Sequence, residues 1–205
     1  MSSPLTRALI LCGALAGPVF VIVVLLQDYT VPDFDPRTHL LSQLSLGRWG
    51  WVQIVNFVLA GVLNVFYAIG LRRRLDGGTG GTAAPIVIGL YGLFLVIVGV
   101  FKTDPANGFP PGAGSSVQPS GHAVIHALGG LFTFLTLTAG LVVFARLFFS
   151  LKRSGFACYC ATSAALMMVC FFGGIHDAIW MARTLRLATL IGWMAASVVA
   201  MRLCN

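Results

Sequence analysis

The chain alternates long apolar stretches with short polar segments, and this alternation predicts its main elements. The apolar stretches run approximately over Ala8 to Leu26, Trp51 to Leu71, Ala83 to Phe101, Ala123 to Phe149, Cys158 to Ile175, and Leu187 to Leu203. A helix needs about 20 mostly apolar residues to cross the hydrocarbon core of a bilayer, and each stretch is close to that length. The pattern therefore predicts an all-α integral membrane bundle of six transmembrane helices, in a single domain over residues 1–205.

Composition supports a membrane location. Of the 205 residues, 58% are hydrophobic and only 9% are charged, whereas about a quarter of an ordinary soluble domain is charged. The net charge of +7 comes from basic residues at the ends of apolar stretches rather than from a patch with interleaved aromatic residues. This placement argues against a nucleic-acid partner, and it predicts a multi-pass protein of the cell membrane with membrane lipid as its partner.

Lysine and arginine in the short connecting segments predict the orientation, because cytoplasmic loops carry an excess of both. With the N-terminus inside, eight basic residues lie on the inner side and five on the outer side. The inner residues are Arg7, Arg72, Arg73, Arg74, Arg146, Lys152, Arg153 and Arg202, and the outer ones are Arg37, Arg48, Lys102, Arg183 and Arg186. We therefore predict that both termini are cytoplasmic and that the longer loops, 27–50 and 102–121, are extracytoplasmic.

This topology places all the histidines, His39, His122, His126 and His176, on the outer face. An interfacial histidine is inexpensive because water reaches it, so plain surface decoration is one interpretation. However, His122 and His126 are four residues apart, so both imidazoles project from one face of a helix, as a chelating pair requires. With His39, His176 and Asp104 as donors from other segments, the pattern predicts a metal site. Zinc suits such imidazole and carboxylate ligands.

Three further polar residues are candidate catalytic or binding groups. Ser42 follows His39 by three residues, so a helical segment there would place both on one side. Ser42 would then orient a ligand or a water, or it bonds within a turn. Asp104 is a candidate metal ligand or base, with helix capping or pairing with Lys102 as the alternative. Arg186, expected at the start of helix six, is a candidate clamp for an anionic headgroup, with extension to the interface as the alternative.

Several motifs resemble one family of prokaryotic membrane proteins, known as domain of unknown function 998. The motifs are Arg37-Thr-His-Leu-Leu-Ser-Gln-Leu-Ser45, Phe101-Lys-Thr-Asp-Pro105, Gly121-His-x-x-x-His126, and Leu185-Arg186 before Trp193. The resemblance covers nearly the whole chain and implies the six-helix plan, but it implies no activity. A looser resemblance, to the zinc site of the alkaline ceramidase and progestin-receptor group of membrane hydrolases, concerns only the type of ligand set.

These observations lead to a first hypothesis and its alternatives. The first is a zinc-dependent hydrolase that acts on a lipid amide or ester at the extracytoplasmic face. Zinc with three protein ligands and an open position lowers the pKa of its bound water to about 7. The ligands would be His122 and His126 with His176 or His39, and Asp104 would be the base or would bind and orient one of the ligands. The alternatives are a non-catalytic protein that binds or transports a lipid, a quinone or a metal, and a haem-binding membrane protein.

Overall fold

The computed structural model describes residues 3–75, 77–114 and 118–204. Within these ranges the chain forms six α-helices, one short 3₁₀ helix at Leu41–Ser45, and no strand. The α-helices are α1 Pro4–Thr30, α2 Gly50–Leu75, α3 Ala83–Val100, α4 Gly121–Ser150, α5 Ser154–Gly173 and α6 Ala178–Cys204. All six are long and apolar enough to cross a membrane. The predicted six-helix architecture is confirmed.

The start of α6 differs most from the prediction, since the helix begins at Ala178 rather than at Leu187. The carboxylate of Asp177 accepts a hydrogen bond of 2.9 Å from the backbone N–H of Trp180, which caps the first turn. The apolar pattern started late because Arg183 and Arg186 interrupt it. Arg186 therefore lies inside α6 and not at its first residue.

The six α-helices form a closed ring. Each helix packs against its neighbour in sequence, and α6 returns to pack against α1. Glycines permit the close crossings: a Cβ added at Gly92 of α3 would lie 2.6 Å from the carbonyl oxygen of Gly61 in α2. A Cβ added at Gly17 of α1 would lie 2.9 Å from the carbonyl oxygen of Trp193 in α6. Small residues at helix crossings let two backbones approach, so these glycines help to close the ring.

The two ends of the ring differ in their chemistry. At the end that we call the arginine end, α2 finishes with Arg72, Arg73 and Arg74. At the opposite end, which we call the histidine end, two long connecting segments, 31–49 and 101–114, pack against each other; we refer to them together as the lid. The side-chain amide of Gln43 donates to the carbonyl oxygen of Ala106 at 2.6 Å. The rings of Phe34 and Phe109 meet edge to face at 5.2 Å. The lid is thus a packed layer over the helix ends.

Candidate functional site

A cavity of about 320 Å³ lies inside the ring near the histidine end, and all six α-helices contribute to its wall. The lid also contributes, through Leu40, Leu41, Ser42 and Thr103. Pockets for small molecules typically have volumes of about 300–1,000 Å³ and mostly apolar walls. The cavity therefore has the size and character of a site for a small apolar molecule.

Aromatic side chains form much of the wall. The ring of Phe20 stacks on Trp193 at a centroid distance of 5.0 Å and lies 5.3 Å from Phe57. Tyr91 meets Trp193 edge to face at 5.5 Å, so these four rings form one connected group. Trp193 is only 3% exposed. Aromatic rings attract other flat rings in stacked or edge-to-face arrangements, so this wall favours a planar ligand.

Besides Tyr91 and Trp193, whose rings carry a hydroxyl and an N–H, six polar side chains line the cavity: Ser42, Thr103, His126, Thr133, Arg186 and Thr189. The hydroxyl groups of Thr133 and Thr189 donate to carbonyl oxygens of their own helices, each at 2.8 Å. The hydroxyl groups of Ser42 and Thr103 form no hydrogen bond within the part of the chain that the structure describes. These two hydroxyls, the hydroxyl of Tyr91, His126 and Arg186 are polar groups that a ligand could engage.

His126 presents a hydrogen-bond acceptor. Its Nδ1 lies 2.7 Å from the carbonyl oxygen of Phe101 and 3.1 Å from that of Val98, at the end of α3. Because carbonyl oxygens only accept, Nδ1 carries the proton, and Nε2 of the neutral ring carries a lone pair. Nε2 has no hydrogen-bond partner among the described residues. It can therefore accept a hydrogen bond from a hydroxyl group in the cavity.

Arg186 is joined to Asp28 of α1 by an ion pair. Its Nη1 donates to the Oδ2 atom of Asp28 at 2.6 Å, and the two side chains are 17% and 5% exposed. Nε and Nη2 of Arg186 and Oδ1 of Asp28 are buried without a hydrogen-bond partner in residues 3–75, 77–114 and 118–204. Asp28 neutralises the guanidinium, so this pair suits a neutral acceptor oxygen better than the anionic headgroup that the sequence suggested for Arg186.

The comparison with known families covers almost the entire ring. A family model described as Protein of unknown function (DUF998) matches residues 14–202. The chain belongs to this family. The match includes Asp28, His126 and Arg186, so the whole cavity lies within the shared region, and the resemblance noted from the motifs is confirmed. Neither the curated proteins nor the solved structures gave a match.

Two other predicted residues of this DUF998 protein, His39 and Asp104, have structural roles. Nδ1 of His39 accepts a hydrogen bond of 2.9 Å from the backbone N–H of Asp35, and Nε2 lies 3.0 Å from the carbonyl oxygen of Asn107, to which it donates. Both ring nitrogens are therefore occupied within the lid. The 3₁₀ helix begins only at Leu41, so His39 and Ser42 are not on one helical side; Ser42 reaches the cavity and His39 does not.

Asp104 holds the first turn of α4 in place. Its two carboxylate oxygens accept hydrogen bonds from the backbone N–H and the hydroxyl of Ser120, both at 2.7 Å. The hydroxyl oxygen of Ser120 in turn accepts from the backbone N–H of Ala123 at 3.1 Å. The two hydrogen bonds from Ser120 lower the pKa of the Asp104 carboxyl below its usual value. Ser120 is thus the residue that caps α4, Asp104 binds this cap residue, and Asp104 does not line the cavity.

The remaining histidines lie on the surface. His122 is exposed at the start of α4, with its ring 5.3 Å from that of Phe101. His176 is exposed in the turn between α5 and α6. Although His122 and His126 are one helical turn apart, the ring of His126 points to the carbonyl oxygens of α3. The spacing of the pair is therefore not used for chelation in this structure.

The donors do not fit the predicted zinc site. Within the described ranges, no group of three or more His, Cys, Asp or Glu side chains is placed to hold a metal ion. Of the predicted ligands, His39 is bonded within the lid, His126 is turned toward α3, and His122 and His176 are exposed. Haem with two of these histidines as ligands does not fit either, because the histidines lie in separate environments. Ser42, His126 and Arg186 are the predicted residues that do meet at one cavity.

The sequence reasoning missed Asp28 and the aromatic wall. An aspartate near the end of an apolar stretch is a usable signal, because a buried acid needs a partner. The aromatic residues carried no such signal, since they are ordinary members of apolar helices.

Proposed function

We propose that this membrane protein binds a neutral, ring-bearing lipid of the quinone type in the central cavity. The observation that carries the proposal is an aromatic-walled cavity with few polar groups, among them the acceptor Nε2 of His126 and the charge-compensated guanidinium of Arg186. This corresponds to the non-catalytic binding function that the sequence left as an alternative.

The chemistry of a quinone and its reduced quinol matches both groups. A quinone carbonyl accepts a hydrogen bond from a guanidinium N–H, and a quinol hydroxyl donates to the unprotonated Nε2 of His126. A flat ring stacks on the aromatic group formed by Phe20 and Trp193. An unsatisfied buried N–H costs about 1–3 kcal/mol, so a ligand oxygen that reaches Arg186 would stabilise the complex.

The bilayer is the source of the ligand. A small crevice of about 30 Å³ lies between α1 and α6, with Val21, Val24, Leu25 and Leu190 in its wall. Arg186 lines both this crevice and the central cavity. A crevice of this volume holds only a water-sized group, so α1 and α6 would separate at this seam to admit the apolar tail of a lipid whose ring occupies the cavity. The cell membrane is the compartment that we expect.

A hydrolase remains a second candidate in a metal-free form, because Ser42 and His126 both line the cavity. It requires the hydroxyl of Ser42 to come within hydrogen-bond reach of Nε2 of His126. The Ser42→Ala variant separates the candidates. A binding protein shows no ester turnover before or after the change, whereas a hydrolase loses its turnover.

Trp193 provides the assay for binding. Quinones quench indole fluorescence, and Phe substitutions at Trp49, Trp51 and Trp180, which are 48%, 59% and 59% exposed, leave Trp193 as the only indole. A short-chain benzoquinone titrated into the purified protein in detergent should quench this fluorescence with saturation. Quenching that rises in proportion to quinone concentration, as in simple collision, contradicts the proposal.

A cavity-filling variant gives the decisive control. Gly130 lines the cavity, and a Cβ added there meets no heavy atom within 4 Å, so Gly130→Leu fills the space without a local clash. We expect the apparent affinity to fall by about tenfold or more, which corresponds to about 1.4 kcal/mol. Gly155→Leu is the matched control, because its Cβ also meets open space, at an exposed site on α5 outside the cavity. Equal affinities in the two variants would place the quinone elsewhere.

A further inference from the structure

A second candidate site lies on the outer side of α6, apart from the central cavity. It is an open groove of about 600 Å³, lined by Pro36, Arg37, Arg183, Arg186, Leu187 and Leu190. Three of these residues are arginines, two are leucines, and none is acidic. A groove with this composition combines positive charge with an apolar surface.

The positive charge of the groove is largely uncompensated. Arg186 is paired with Asp28, but Arg37 and Arg183 form no salt bridge with any residue that the structure describes. Asp35 accepts a hydrogen bond of 2.9 Å from the backbone N–H of Arg37, yet its carboxylate does not pair with the Arg37 guanidinium. The groove therefore offers two guanidinium groups that have no counter-charge among the described residues.

Local contacts hold Arg183 at the groove. Its Nε donates to the carbonyl oxygen of Arg37 at 3.3 Å, and its guanidinium carbon lies 5.5 Å from the centre of the Trp180 ring. A guanidinium positioned in this way loses less conformational freedom when it binds an anion. Its remaining N–H groups are available to phosphate oxygens, for which the planar fork of arginine is well suited.

The order of charged and apolar residues along α6 matches the order of groups in a phospholipid. Arg183, Leu187 and Leu190 follow at helical spacings of four and three residues, so they share one face of the helix. With a rise of about 1.5 Å per residue, Arg183 and Leu190 are about 10 Å apart along the axis. The arginines lie at the histidine end, and the leucines lie deeper toward the middle of the span.

We propose that this groove binds the phosphate of an anionic glycerophospholipid between Arg37 and Arg183, with an acyl chain along Leu187 and Leu190. Two uncompensated guanidinium groups favour an anionic lipid over a zwitterionic one, because the ammonium of a zwitterionic headgroup is repelled at the same place. Arg186 lines both the groove and the central cavity, but Arg37 and Arg183, which would hold the phosphate, line only the groove.

Native mass spectrometry of the full chain in detergent, with graded amounts of phosphatidylglycerol, tests the proposal. The variant Arg37→Gln plus Arg183→Gln should bind the lipid about 30-fold more weakly, since each basic residue contributes about fivefold. The control Arg73→Gln plus Arg146→Gln removes the same charge from exposed positions at the arginine end, and it should change binding little. Equal losses in both variants overturn the proposal, because they show attraction to net charge alone.

Two further binding experiments identify the source of the phosphate. Phosphatidylcholine should bind clearly more weakly than phosphatidylglycerol, and equal binding overturns the assignment to an anionic lipid. Inorganic phosphate in excess should leave the lipid bound; full displacement would show that the groove recognises free phosphate and would overturn the lipid assignment. Benzoquinone quenching of Trp193 should be unchanged in the Arg37→Gln plus Arg183→Gln variant, so the two sites succeed or fail separately.

Discussion

At the scale of single residues, the ion pair between Asp28 and Arg186 is the most consequential feature. It is mostly buried, and it joins residues that are 158 positions apart in the chain. Only one N–H of the guanidinium and one carboxylate oxygen take part. An ion pair with unsatisfied buried atoms contributes little net stability, although the loss of one partner is costly. The unsatisfied N–H groups of Arg186 are donors for the ligand oxygen in the proposed binding function.

The cost of breaking this pair can be measured. Asp28→Asn leaves the buried guanidinium without a counter-charge, and we expect the free energy of unfolding to fall by about 3–5 kcal/mol. Asp28→Leu plus Arg186→Met removes both charges and should recover most of that loss. Denaturant unfolding of the purified protein in detergent gives both values. A single variant as stable as the original protein would show that Arg186 does not depend on Asp28.

His126 and His122 form a matched pair for testing the cavity chemistry. His126→Ala removes the acceptor Nε2, so affinity for a short-chain quinol, which donates a hydrogen bond, should fall more than affinity for the corresponding quinone. A lost hydrogen bond corresponds to about 0.5–1.5 kcal/mol, or about 2- to 13-fold in affinity. His122→Ala, at the exposed position one turn earlier, should leave both affinities unchanged. Competition against Trp193 quenching measures them, and equal losses for quinol and quinone would remove His126 from ligand recognition.

At the scale of elements, the lid and the first turn of α4 depend on hydrogen bonds between loops. Gln43 bonds segment 31–49 to Ala106, and Asp104 bonds segment 101–114 to Ser120. These side chains position the lid residues that line the cavity. The sequence predicted a helix start near Ala123, and α4 begins at Gly121 because the hydroxyl of Ser120 caps its first turn.

The Asp104 contact predicts a dependence of stability on pH. The pKa of its carboxyl is lower in the folded protein than the usual value of about 3.9 in an unfolded chain. The stabilisation is therefore complete above that unfolded value and is lost as the pH falls through the lowered folded value. Thermal unfolding from neutral pH to about pH 3 should show a steeper loss for the original protein than for Asp104→Asn. Parallel curves would mean that the carboxylate contributes nothing through its charge.

At the scale of the whole molecule, the ring has two unlike ends, and its orientation is a prediction from the basic residues. We expect the arginine end to face the cytoplasm and the histidine end to face outward. In a cysteine-free background, Ala113→Cys in the lid should react with an impermeant thiol reagent added to intact cells. Thr79→Cys, in the exposed turn between α2 and α3, should react only after the cells are opened. The reverse pattern would invert the orientation and place the lid in the cytoplasm.

The sequence by itself determined the number and the approximate extent of the membrane-spanning helices. The apolar character of a span is a sum over contiguous residues, and it does not depend on how the helices pack. The motifs identified the family because a motif is also a local pattern, which can be recognised before the packing of the helices is known. The prediction was least accurate where charged residues interrupt an apolar stretch, as Arg183 and Arg186 do in α6.

The tertiary structure decided which polar residues meet. Helical spacing placed His122 and His126 on one face, but the ring of His126 bonds to the carbonyl oxygens of Val98 and Phe101, and His122 lies at the surface. Closure of the ring brings α6 against α1, so that Asp28 neutralises Arg186 beside the cavity. Such contacts join residues distant in sequence and depend on the packing of the whole bundle, which no local pattern of hydrophobic and polar residues encodes.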